Sequence, residues 1–194
     1  STKVSVIRDV KPFFPKNINF IPSHPLAGTE YSGPESGFAS LFKNRYWIII
    51  GKKNGKNVKK LETILCEIGA FVEYMDADYH DKILAITSHL PHLIAFTIVG
   101  TASDLEMDLK NDVIRFSATG FRDFTRLASS DPTMWRDVFI NNTDSVLEML
   151  QRFNEDLTAL QKLIRKRDSS KLHDFFSRTK RIRSQIIEAG QHEF

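Results

Sequence analysis

Two short apolar runs, Tyr46-Trp47-Ile48-Ile49-Ile50 and Phe71-Val72-Glu73-Tyr74-Met75, bracket a stretch from Val58 to Gly69 with the apolar spacing of an amphipathic helix. Strand, helix, strand in that order is the pattern of a parallel crossover, and it commits this part of the chain to an α/β sheet. A further run at residues 18–22, Ile-Asn-Phe-Ile-Pro, is bounded by Asn and Pro and predicts another buried strand. Residues 1–77 are therefore expected to form the closing portion of a doubly wound parallel sheet. No Gly-x-Gly-x-x-Gly turn follows any of these strands.

From Asp78 onward the periodicity becomes helical, which places a boundary near residues 76–79 and predicts an all-α domain over 78–194. Residues 81–102 are apolar on most faces, the pattern of a helix buried all round. Val146, Leu150, Phe153, Leu157, Leu160 and Ile164 alternate by four and three, a seam for helix packing within the chain or across a dimer. Asn142 or Thr143 is placed to cap that helix, and Asp131-Pro132 marks the start of an earlier one.

Composition bounds the rest. Of 194 residues, 41% are hydrophobic, enough for a sizeable core, and no run of eighteen apolar residues suggests a membrane span. The single Cys66 cannot form an internal disulfide, in keeping with a reducing, cytoplasmic setting. A net charge of +3 is too small to imply nucleic acid, and the late basic cluster, Arg165-Lys166-Arg167 and then Arg178, Lys180, Arg181 and Arg183, lacks interleaved aromatics. The chain is expected to be soluble, with neither a nucleic-acid nor a membrane partner.

Several side chains could carry chemistry. His24 stands between Pro22 and Pro25 after an apolar run, which predicts an imidazole at the carboxyl edge of the sheet, where such folds bind ligands. There it could take a proton near neutral pH, or be a satisfied loop histidine. Glu30, six residues on, reads equally as a charge at a helix start. His80, Ser88 and His92 form one drifting helical stripe that His89 partly shares; these histidines, with Asp81, could chelate a metal or be buried and satisfied. Gly120-Phe121-Arg122-Asp123-Phe124-Thr125-Arg126 reads as a loop feeding a helix, and Arg126 could grip a carboxylate bidentately. Trp135 is by default a core residue.

Taken together, His24-Pro25-Leu26-Ala27-Gly28-Thr29-Glu30-Tyr31-Ser32-Gly33-Pro34, Ser88-His89-Leu90-Pro91-His92 and Gly120 to Arg126 resemble the prephenate dehydrogenase family, which includes arogenate and cyclohexadienyl dehydrogenases, over nearly the whole chain. The resemblance implies a Rossmann-like remnant followed by a helical dimerisation domain, a homodimer, and NAD-dependent oxidative decarboxylation of prephenate or arogenate, with NADP not excluded. It implies that His24 accepts the proton of the ring hydroxyl. Ser1-Thr2-Lys3 matches the end of a family motif whose serine orients that histidine near the nicotinamide. Arg126 would bind the ring carboxylate, His92 the substrate side chain with His80 and Ser88 nearby, and Glu30 would gate the site. Asp123 would lie toward the cofactor, and Trp135 at the subunit interface. Where relatives carry several glycines this chain has Ala118-Thr119-Gly120, so no ligand contact is expected at Thr119. These enzymes begin with a dinucleotide-binding half that these residues do not supply, so the chain by itself is expected to bind NAD poorly and turn over little. A non-catalytic helical dimerisation module and a metal hydrolase built on His80, His89 and His92 are the rival readings.

Overall fold

Ile48 and Ile49, both almost fully buried, sit at the centre of a three-stranded sheet. The computed structural model describes residues 1–28, 31, 33–105, 111–113 and 115–188. After helix α1 (Val4–Val10), strands β1 (Ser23–Pro25), β2 (Tyr46–Ile50) and β3 (Phe71–Met75) lie in the order β1-β2-β3. β2 and β3 are parallel, with Tyr46 opposite Phe71 and Ile50 opposite Met75, and helix α2 (Lys56–Glu67) makes the crossover between them. Gly69, at φ +88°, ends α2: its N–H bonds the Cys66 carbonyl and that of Ala70 bonds Leu65, the paired closure that a left-handed residue permits.

β1 departs from the expectation in two ways. It lies just after residues 18–22 and runs antiparallel to β2, with His24 opposite Ile48. Pro22 and Pro25 lack the N–H a ladder needs, so the pairing is short: Pro22 contributes only its carbonyl, to Ile50 N–H, and Leu26 N–H closes the other end on the Tyr46 carbonyl. His24 consequently occupies the middle of a strand pairing, not the carboxyl edge of a parallel sheet.

Asp76, immediately after β3, accepts a hydrogen bond from Tyr79 N–H and starts helix α3 (Ala77–Leu84). A five-residue π turn, Ala85–His89, joins α3 to α4 (Leu90–Ser103). The expectation of burial on every side fails: His80, Asp81, Leu84, Ala85, His89, Leu90 and Ala95 are buried, whereas Ile86, Ile98 and Val99 are exposed. By length and composition the run Ala77–Ser103 could cross a membrane. Its buried polar side chains His80, Asp81 and His89 bond to other parts of the chain.

The segment expected as a loop before Arg126 is helical, α5 (Thr119–Thr125), and Arg126 opens a short 3-10 turn. Helix α6 (Pro132–Asn141) begins as its sequence predicts, with the Asp131 carboxylate accepting from Met134 N–H. Helix α7 (Thr143–Arg165) follows. Thr143 Oγ1 bonds back to the carbonyls of Phe139 and Ile140, and the amide nitrogen of Asn142 is engaged by Asp81 and His89.

Two compact units divide the chain at Met149 and Leu150. The second contains the rest of α7 and helix α8 (Ser169–Glu188), with Arg167 at φ +52° in the turn and the Asp168 carboxylate accepting from Lys171 N–H. Along the predicted seam Val146 is buried, Leu150, Phe153 and Leu160 are half-buried, and Leu157 and Ile164 are exposed.

Candidate active site

A chain of short hydrogen bonds connects β1 to α3 and α1. Nδ1 of His24 lies 2.8 Å from Nε2 of His80, whose Nδ1 lies 2.7 Å from Oδ1 of Asp81. The same carboxylate accepts the main-chain N–H groups of Lys3 at 2.8 Å and Val4 at 2.9 Å, at the start of α1. His80 is 0% exposed and Asp81 2%. Burial works against the charge on Asp81, but the bonds from His80, Val4 and Lys3 outweigh it and hold the carboxyl below its ordinary value.

An ionised carboxylate only accepts, so the proton between Asp81 and His80 sits on His80 Nδ1. With a single proton on His80, its Nε2 is an acceptor and His24 donates to it from Nδ1. The lone pair of neutral His24 is thereby placed on Nε2, available to take a proton from a bound molecule. Burial is the largest cause that pushes His24 down to about 3, with the positive charge of Lys3 adding to it, which keeps it neutral. Sequence reasoning treats Asp81 only as a possible metal partner; an acidic residue directly after a helical histidine was the available signal.

His80, expected as a substrate contact, has both ring nitrogens engaged and no exposed surface, so it acts on His24. Ser1 is exposed, and the His24 Nδ1 that a neighbouring hydroxyl could hold belongs to His80. His92 is half-buried and donates from Nδ1 to the Ser88 carbonyl at 2.8 Å, so its Nε2 is also an acceptor. Its ring stacks on Trp135 with centroids 3.7 Å apart at 23°. Burial lowers the His92 pKa and the nearby Arg126 charge adds to it, which brings Arg126 and His92 to one neighbourhood. Trp135 is buried within its own chain, Asp123 is exposed on α5, and Glu30 lies outside the described residues.

The histidines do not assemble a metal centre. Nδ1 of His89 faces the Asn142 amide at 3.1 Å, His80 is spent on His24 and Asp81, and His92 on Ser88. Among the described residues no group of three or more His, Cys, Asp or Glu side chains could hold a metal ion.

Comparison with known proteins settles the family. Residues 1–74 match the nucleotide-binding domain of prephenate dehydrogenase, and residues 76–178 match the prephenate dehydrogenase dimerization domain. The chain belongs to the prephenate dehydrogenase family. Cyclohexadienyl dehydrogenase from Zymomonas mobilis is 38% identical over 185 residues, and prephenate dehydrogenase from Bacillus subtilis is 32% identical; each alignment takes in 94% of this chain. The chain spans 63% and 50% of the lengths of those two relatives. The crystal structure of Aquifex aeolicus prephenate dehydrogenase, in complex with hydroxyphenyl propionate and NAD+, superposes with a TM-score of 0.78 at 34% identity, over 86% of this chain and 59% of that one. The Rossmann-like remnant followed by a helical domain is thus the fold of this family.

Proposed function

We propose that the protein containing this chain is an NAD-dependent dehydrogenase that oxidatively decarboxylates prephenate or arogenate, giving 4-hydroxyphenylpyruvate or tyrosine. The observation that carries this reading is the Asp81–His80–His24 chain, which leaves one half-buried imidazole nitrogen unprotonated and fixed. The residues present fit the redox end of the cofactor: an alcohol being oxidised needs an acceptor for its proton, and His24 Nε2 is one. They include no glycine-rich turn for a pyrophosphate, so none is assigned to that part. The chemistry supplied by bound NAD is acceptance of a hydride from the ring carbinol carbon.

In this scheme His24 Nε2 takes the hydroxyl proton as the C–O bond acquires carbonyl character. The positive charge that develops on the imidazole faces the Asp81 carboxylate through His80, which partly offsets the burial that disfavours it. Arg126 holds the ring carboxylate until it leaves as carbon dioxide and its bonding electrons enter the ring, which becomes aromatic as the former carbonyl oxygen takes a proton back to give the phenol. His92, stacked on Trp135, offers Nε2 to the substrate side chain, and Ser88 orients His92 through its carbonyl. Ser1, Asp123 and Glu30 keep the roles of orienting serine, cofactor-side carboxylate and gate, respectively, that the family resemblance gives them.

Residues 1–77 are the nucleotide-binding portion and residues 78–194 the substrate-binding and dimerising portion of a cytoplasmic homodimer. The exposed Ile86, Ile98 and Val99 support pairing through the helical half, since apolar side chains left open on a core helix favour a covering surface. The test is NAD reduction by the full-length protein with prephenate and with arogenate, beside its His24→Asn variant. Turnover with either substrate that falls by about 10²–10⁴ in a folded variant supports the reading; no reduction with either substrate overturns it.

A further inference from the structure

Asn142 ends α6 and begins α7, 61 residues from Asp81 in sequence, yet it is 6% exposed and packed beside the π turn. Its amide nitrogen lies 2.8 Å from the main-chain oxygen of Asp81 and 3.1 Å from Nδ1 of His89. The first contact fixes which end of the amide is nitrogen, because a carbonyl oxygen can only accept. An amide nitrogen has two hydrogens and no lone pair to give, so the second contact makes His89 Nδ1 an acceptor and puts the His89 proton on Nε2. His89 is 1% exposed, and among the described residues that Nε2–H has no acceptor; the ring meets Trp135 edge-on, with centroids 6.0 Å apart. A buried donor without an acceptor is tolerated where something else dictates the tautomer.

We propose that Asn142 is a positioning residue for His24: one amide bears on the main chain that presents Asp81 and on the tautomer of His89, and so keeps His24 Nε2 unprotonated. This rests on His24 being the base of the proposed reaction. Two links carry the effect. The Asp81 carbonyl receives the Asn142 amide in addition to its own helical partner, Ala85 N–H, at the point where the α-helix widens into the π turn. A side chain from a separate helix therefore braces the one place in α3 where the backbone changes pitch, one residue beyond His80. The second link is the tautomer of His89, in the π turn: with its Nδ1 occupied by the Asn142 amide, its single proton stays on Nε2 and Nδ1 presents no donor.

The experiment is a nitrogen-15 NMR determination of histidine tautomers in the full-length protein and its Asn142→Ala variant at neutral pH, with kcat and KM measured on whichever of the two substrates is oxidised. Wild type is expected to show His24 and His80 protonated on Nδ1 and His89 on Nε2. In the variant, His89 should become a mixture and His24 should gain Nε2–H, with kcat down about tenfold and KM changed by less than about twofold, the split expected when the base and not the binding is disturbed. A folded variant in which His24 keeps its Nδ1 proton overturns the proposal. So does His89 protonated on Nδ1 in wild type, an outcome that needs no variant to fold. Because the tautomers are read without substrate, failure of the proposed reaction would appear as absent turnover with this pattern intact.

Discussion

Nε2 of His80 stands 2.8 Å from Nδ1 of His24, across 56 residues of sequence, and when His80 carries a single proton, held by Asp81, the bond runs from His24 to His80. An antiparallel strand thus supplies the base, while a helix beyond the sheet supplies the pair that polarises it. Such an arrangement depends on the carboxylate being acceptor-only. Asp81→Asn keeps the shape but can present an amide hydrogen to His80, which would reverse both imidazoles and place a proton on His24 Nε2. The expected result is a fall in kcat of about 10²–10⁴ with a smaller change in KM, checked by steady-state kinetics alongside the nitrogen-15 spectrum.

The same burial couples folding to pH. His24 is pushed down to about 3, by burial first and then by the positive groups around it; His89 is pushed down to about 4, by burial first, with Asp81 opposing. Both would titrate near the ordinary value of 6.5 once unfolded. Between that value and about 4 the unfolded chain holds more protons than the native one, so stability is retained above the window and lost on acidification through it. The loss approaches about 1.4 kcal/mol per pH unit for each group. Urea unfolding at about pH 7.5, 6 and 5 should give falling midpoints, and His24→Gln should have a shallower decline.

Gly69 offers a test of the crossover that places this machinery. At φ +88° an added Cβ would be strained and would meet Lys43 Cγ at 3.2 Å. Gly69→Ala should cost about 1–3 kcal/mol, measured as a lowered Tm, by weakening the α2 closure ahead of β3.

The parallel pair was legible because Tyr46–Ile50 and Phe71–Met75 are short, apolar runs flanked by Arg45 and Gly51 and by Ala70 and Asp76, and the structure keeps both strands to the residue. Helix α2 runs from Lys56 to Glu67, two residues earlier at each end than its apolar pattern suggests, because Gly55 and Gly69 set its limits through positive φ. The strand at 18–22 was misplaced because hydrophobicity alone does not register that Pro22 and Pro25 restrict where a ladder forms. Within the candidate site, His24, His92 and Arg126 stand out by residue type and by neighbouring glycine or proline. Asp81 and Asn142 do not, since an acid inside a helix and an amide at a helix start have ordinary local explanations. Their importance comes from contacts 77, 78 and 61 residues away in sequence, which no local pattern encodes.

Arg126 and His92 give the sharpest test of the substrate end. His92 is held below the ordinary histidine value by burial, with the Ser88 carbonyl opposing and the positive charge of Arg126 adding to the depression. Arg126→Gln removes that charge while leaving burial in place, so the His92 pKa should move up and yet stay below its ordinary value. Arg126→Lys keeps the charge and should leave His92 nearly unmoved, but it forfeits the planar fork that matches a carboxylate. If Arg126 grips the ring carboxylate, both variants should raise KM for prephenate or arogenate, Gln by about 10²-fold and Lys by less, in line with loss of a charge-assisted bidentate pair. NMR titration of His92 then separates charge from geometry: a raised KM in Arg126→Lys with an unchanged His92 pKa assigns the effect to the guanidinium's shape, whereas an unchanged KM in both variants removes Arg126 from the substrate site.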